Sequence, residues 1–110
     1  MATSDGAGRR ASDVIIEEVT SWPGVEIGEG NFGSVLFRVG RRELGHLHGD
    51  TLADLPFTRA LRDELIARGE KSPPPPAPRL RLGLPPHPHR RRRRRVIRLL
   101  RMQYERATGA

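Results

Sequence analysis

The residues with the most chemistry at close spacing lie in GHLHGD, positions 45–50. Side chains alternate between the two faces of a β-strand, so His46 and His48 share one face, roughly 6–7 Å apart. Two imidazoles followed by Asp50 can hold a divalent metal, or supply a general base and the carboxylate that orients it. The third arrangement open to them is structural: a half-exposed strand with one imidazole hydrogen-bonded to Asp50.

Other polar residues have simpler readings. Asp54, ahead of Leu55-Pro56, is expected to cap a helix rather than act in catalysis. Glu43 with Arg41-Arg42 reads as a solvated turn and strand edge. GEGNFG at 28–33 has phosphate-loop spacing but leads into a strand, so it lacks the helix N-terminus that would bind the phosphate. No serine or cysteine sits in a nucleophile arrangement. Trp22, Phe37, Phe57 and Tyr104 are assigned to the core.

The elements that must position these residues follow from periodicity. Ser12 is expected to cap a helix over 13–21, where Ile15, Val19 and Trp22 recur at helical spacing. Pro23-Gly24 stops it. Val25 and Ile27 alternate in a first strand, and Gly28 to Asn31 turn the chain. Ser34 to Val39 form a second strand, with Val35, Phe37 and Val39 on one face, and Glu43 to His48 return as a third. A second helix opens at Asp54-Leu55-Pro56, carries Phe57, Leu61 and Leu65, and ends at Gly69. Val96 to Ala107 form an amphipathic last helix. The fold class is therefore α+β in one small domain: helix, antiparallel meander, helix, helix.

Charge divides the chain in two. The net charge is +7, yet residues 71–95 hold 9 of the 20 basic residues, no acidic residue, and eight of the ten prolines. Everything else carries 11 basic against 13 acidic residues, a net of −2. The organisation expected is a disordered lead over 1–11, an α+β unit over 12–70, a disordered Pro/Arg-rich segment over 71–95 and the last helix over 96–108. Arg90 to Arg95 would bind polyanions with steep salt dependence. The segment has no aromatic or amide side chain for base stacking or base-edge contacts, which argues against sequence-specific reading of nucleic acid. The absence of cysteine fits a reducing cytoplasm. MATSDGAGRRASD lacks the apolar stretch of a signal peptide, and no apolar run is long enough to span a bilayer.

WPGV at 22–25, FRVGRRELGHLHGDTLADLPF from Phe37 to Phe57, RALRDELIARG after it and the closing LLRMQYERA resemble the luciferase-domain family of small bacterial proteins. The resemblance covers about 22–69 and 96–107. It implies a pair of histidines after the second helix, then a P-x-S-G-W-V-S-like strand running into the last helix. Residues 73–95 contain neither. A one-base shift of codons compatible with that stretch yields HHLLPDSGWVSLPIRTAAD, so the segment reads as an out-of-frame translation of a GC-rich gene. Codons incompatible with that peptide would end this reading. The family shares its name with fungal luciferases, which oxidise a pyrone luciferin with O2. The resemblance therefore implies a small-molecule pocket, oxygen- or metal-dependent, on the face that carries His46 and His48. With a strand missing, the sheet edge would be uncovered and folding marginal.

Overall fold

Alternating apolar residues build one buried face of a sheet. Phe37, Leu47, Ala53, Leu55, Leu80 and Leu82 are all buried on it, because residues paired across antiparallel strands share a face. The computed structural model of the chain describes residues 10–30, 33–70, 79–84 and 90–109. Its strands are β1 (Val25–Glu29), β2 (Val35–Val39), β3 (Arg42–His48), β4 (Leu52–Pro56) and β5 (Arg79–Gly83). They lie side by side in chain order, each antiparallel to the next. The helices α1 (Ala11–Thr20), α2 (Arg59–Ala67) and α3 (Arg90–Thr108) send Ile15, Val19, Leu61, Leu65, Val96, Leu99 and Leu100 into the same core. Each such side chain contributes about 1.5–3 kcal/mol when fully buried, so tertiary packing rather than propensity fixes these helices. The protein is a small α+β domain, a helical layer on a five-stranded antiparallel sheet.

Several boundaries differ from expectation, each for a physical reason. Ser12 does not cap α1. The helix starts at Ala11, its N-cap Arg10 makes no side-chain cap bond, and the Ser12 hydroxyl donates to Asp50 Oδ1. Trp22 lies beyond α1, its amide bonded to the Val19 carbonyl. Asp54 is not a helix cap either. Ala53 and Leu55 alternate inward on β4, which runs through Pro56, and Thr58 caps α2 by accepting from the Leu61 amide at 3.1 Å.

The largest correction concerns residues 79–84 and 90–95, described parts of the 71–95 stretch expected to be a disordered insert in place of a strand. Leu80 and Leu82 alternate with Arg79, Arg81 and Gly83, the period of a half-buried strand, and this segment pairs with β4 from Pro56↔Arg79 to Leu52↔Gly83. Leu84 extends the buried row, its amide donating to the Thr51 carbonyl at 2.7 Å. The edge of β4 is therefore covered, and the reason for expecting marginal folding falls away.

Helix α3 begins at Arg90 rather than Val96. Cations in a first helical turn oppose the macrodipole, and the fold offsets this locally. Arg92 Nη1 donates to the Gly83 carbonyl at 3.1 Å, and Glu70 forms an ion pair with Arg95 at 2.7 Å and accepts from Arg98 Nη2 at 2.9 Å. Further along α3, Gln103 donates to the Pro56 carbonyl at 2.9 Å and Tyr104 to the Pro23 carbonyl at 2.6 Å. These bonds tie the helix to both ends of the sheet. The expected lead before Arg10, Asn31 of the first turn, and the prolines at 73–78 and 85–88 lie outside the described residues.

Candidate functional site

The outer face of the sheet is polar, and one irregularity in β3 organises it. Phe37 pairs with Gly45 but Arg38 pairs with Glu43, which leaves Leu44 as an extra, bulged residue. In a regular strand, residues three apart face opposite ways. The bulge brings Glu43 and His46 to the same face and turns Leu44 into the core, fully buried together with Leu47. A single cross-sheet row then runs Gly28, Leu36, His46, Asp54, Arg81.

His46 Nδ1 lies 2.6 Å from Glu43 Oε2. A carboxylate only accepts, so Nδ1 carries a proton, and in the neutral ring Nε2 is the nitrogen with the lone pair. His48 stacks on His46 with ring centroids 5.9 Å apart and planes inclined by 16°, and its Nε2 is 3.4 Å from Asp54 Oδ2. The shared face expected for the two histidines is present. Their carboxylate partners are Glu43 and Asp54, the two residues assigned to a turn and a cap. Asp50 bonds instead to Ser12 and lies 3.5 Å from Arg10 Nε, at the start of α1.

Arg79, from β5, sits among these groups. Its Nε donates to Asp54 Oδ1 at 2.5 Å, its Nη1 to Glu43 Oε1 at 3.3 Å and its Nη2 to Glu43 Oε2. The hydrogen bond to Glu43 outweighs the opposing effect of burial and, with that to Asp54, raises the guanidinium pKa further. Its charge is permanent. Arg79 Nη2 also approaches His46 Nδ1 at 3.3 Å. Both groups donate to the same Glu43 oxygen, and the 2.6 Å contact of His46 Nδ1 with Glu43, closer than its 3.3 Å approach to Arg79, places a proton on Nδ1. Among the described residues no group of three or more His, Asp or Glu side chains is arranged to hold a metal ion. The guanidinium occupies the position between the carboxylates where a cation would sit.

Beside His46 Nε2 the Gly30 backbone and the Ser34 side chain pack closely, a contact that sequence reasoning missed. A Cβ on Gly30 would lie 3.0 Å from His46 Cδ2 and 3.2 Å from Nε2, and would collide with Ser34 Oγ. Ser34 is 3 % exposed and its hydroxyl has no hydrogen-bond partner among the described residues. A buried hydroxyl beside an imidazole is a polar pair available to a third polar group. Gly30 of the GEGNFG stretch thus backs the His46 ring.

The luciferase domain family model matches residues 41–103, more than half of the chain, from the turn before β3 into α3. This stretch supplies Glu43, His46, His48, Asp54 and Arg79, while Gly30 and Ser34 precede it. A polar, histidine-bearing sheet face backed by a helical layer is the class of domain that the fold defines. The chain belongs to the luciferase-domain family. No curated protein and no solved structure matches it. No helix among the described residues is long and apolar enough to cross a membrane.

Proposed function

We propose that the outer face of the sheet binds a small organic molecule bearing an acidic O–H, an enol or phenol, and that His46 Nε2 removes its proton. The observation that carries this reading is the 2.6 Å contact between Glu43 and His46 Nδ1, which leaves Nε2, on the Gly30 and Ser34 side of the ring, as the basic nitrogen of the neutral imidazole. A base oriented by a carboxylate is a recurrent solution to proton transfer. The proton moves from the substrate oxygen to Nε2 and the electron pair stays on oxygen. Arg79, 3.3 Å from the imidazole, adds a fixed positive charge that favours the resulting anion. The Ser34 hydroxyl offers that anion a donor. An enolate or phenolate gives up electrons more readily than its conjugate acid, which suits the oxidation suggested by the family resemblance.

Metal chemistry at His46 and His48 is the weaker form of this reading, because the two rings stack in parallel rather than converge on one point. Polyanion binding through Arg90 to Arg95 also loses ground. Arg92 and Arg95 are engaged within the fold, so only part of the run is left for such binding.

4-Nitrophenol tests the reading through its colour. Below the pH at which the free phenol ionises, the protein should bind it with the absorption of the phenolate. His46→Gln should bind only the neutral form, and Gly30→Ala, whose Cβ would displace Ser34 Oγ and crowd the His46 ring, should weaken binding. Phenolate absorption that persists unchanged in His46→Gln would overturn the assignment.

A further inference from the structure

A second site lies away from the histidine face, where α1 and α3 leave a groove of about 610 Å³. Its apolar surface comes from Val14 and Ile97, both partly buried, and from Trp22. Its walls are cationic, with Arg94, Arg98 and Arg101 at i, i+4 and i+7 on α3 and Arg93 beside them. Glu18 supplies the one carboxylate of the lining, and that group accepts a hydrogen bond from Trp22 Nε1 at 3.3 Å.

The charges in this groove are unequally compensated. Arg98 pairs with Glu70 at 2.9 Å and Arg101 with Glu105 at 2.9 Å. Neither Arg93 nor Arg94 has an ion-pair partner among the described residues. Like charges one turn apart on a helix repel one another, so an incoming anion would relieve a strain that the fold leaves in place. Arg101 is already immobilised, its guanidinium 5.1 Å from the Trp22 ring centroid and 4.9 Å from that of Tyr104. A pre-placed guanidinium loses little freedom on binding.

We infer that this groove binds a small single-chain anionic amphiphile, with its carboxylate, sulfate or phosphate head on Arg93 and Arg94 and its apolar body over Val14, Ile97 and Trp22. A bare anion would leave the apolar floor wet, and an uncharged chain would leave the arginines uncompensated. The two halves of the groove act together only on a ligand that has both.

Isothermal titration calorimetry with sodium octanoate, 1-octanol and inorganic phosphate tests the inference. Octanoate should bind one to one, at least tenfold more tightly than either of the others. Arg93→Gln/Arg94→Gln, at positions without ionic partners, should keep the fold by circular dichroism and weaken octanoate at least tenfold. Val14→Glu, which places a negative charge on the floor, should abolish binding, whereas His46→Gln on the other face should leave it unchanged. The inference is overturned by octanoate binding that survives both groove substitutions, by phosphate binding as tightly as octanoate, or by octanol doing so.

Discussion

Glu43 and His46 lie three residues apart on one β-strand, and their side chains nevertheless meet at 2.6 Å. The Leu44 bulge makes this possible by inserting one residue between the Arg38↔Glu43 and Phe37↔Gly45 pairs. The same irregularity lets Leu44 and Leu47 both enter the core. One backbone feature thus serves packing and site geometry together, as bulges near functional sites commonly do.

The tautomer of His46 is directly observable. Long-range ¹⁵N–¹H correlation spectra should show neutral His46 protonated at Nδ1, with an unprotonated Nε2. Glu43→Ala removes the acceptor and should return the ring to the Nε2–H form that predominates in unconstrained histidine. An Nε2–H form in the unsubstituted protein would contradict the orientation derived for the base.

Arg79→Met should destabilise the fold by about 1–3 kcal/mol, since it leaves the Glu43 and Asp54 carboxylates close together without their shared donor. The lower part of the range applies to so partly exposed a network. Arg79→Lys should recover only part of the loss, because an ammonium cannot span both carboxylates as a fork. The folded-state pKa of Arg79 is raised, so its contribution is complete below the unfolded value and is lost only as pH rises through the folded one, beyond the working range of most proteins. The difference between the Arg79→Met and unsubstituted urea midpoints should therefore not change from neutral to mildly alkaline pH through any titration of Arg79.

Two strand glycines should respond oppositely to alanine. A Cβ on Gly45 would lie 2.9 Å from Leu100 Cδ2 and 3.2 Å from the Asp54 carbonyl oxygen, so Gly45→Ala should lower stability by about 1–3 kcal/mol as β3 and α3 are pushed apart. Nothing among the described residues lies within 4 Å of a Cβ on Gly83, and Gly83→Ala should be neutral or slightly stabilising. Thermal melts of the two variants check both. Equal losses would mean that α3 does not pack on β3 as described.

Much of this architecture is legible in the residues. Ile15 and Val19, Phe37, Leu61 and Leu65, and Leu99 and Tyr104 carry periodicities that survive into the fold. The shared face of His46 and His48 follows from spacing two. The site's partners were harder to see, because a bulge cancels the parity rule and nothing local announces it. The clue was Leu44 and Leu47, apolar residues three apart in a strand bearing alternating polar groups. Asp54-Leu55-Pro56 has the composition of a helix start, but pairing with β3 on one side and β5 on the other overrides it. Bulk composition concealed β5. Proline and arginine dominate 71–95, yet Leu80, Leu82 and Leu84 sit at period two within it. Whatever frame the gene's codons favour, those three leucines are what the sheet uses.

The account rests on β5, which completes the sheet and delivers Arg79 to the histidine face. Amide hydrogen exchange across 79–83, followed residue by residue alongside β4, tests this most directly. Its inward-bonded amides should be protected to the same degree as their β4 partners. Exchange throughout 79–83 at the rate of an unstructured chain, while β4 remains protected, would contradict the account.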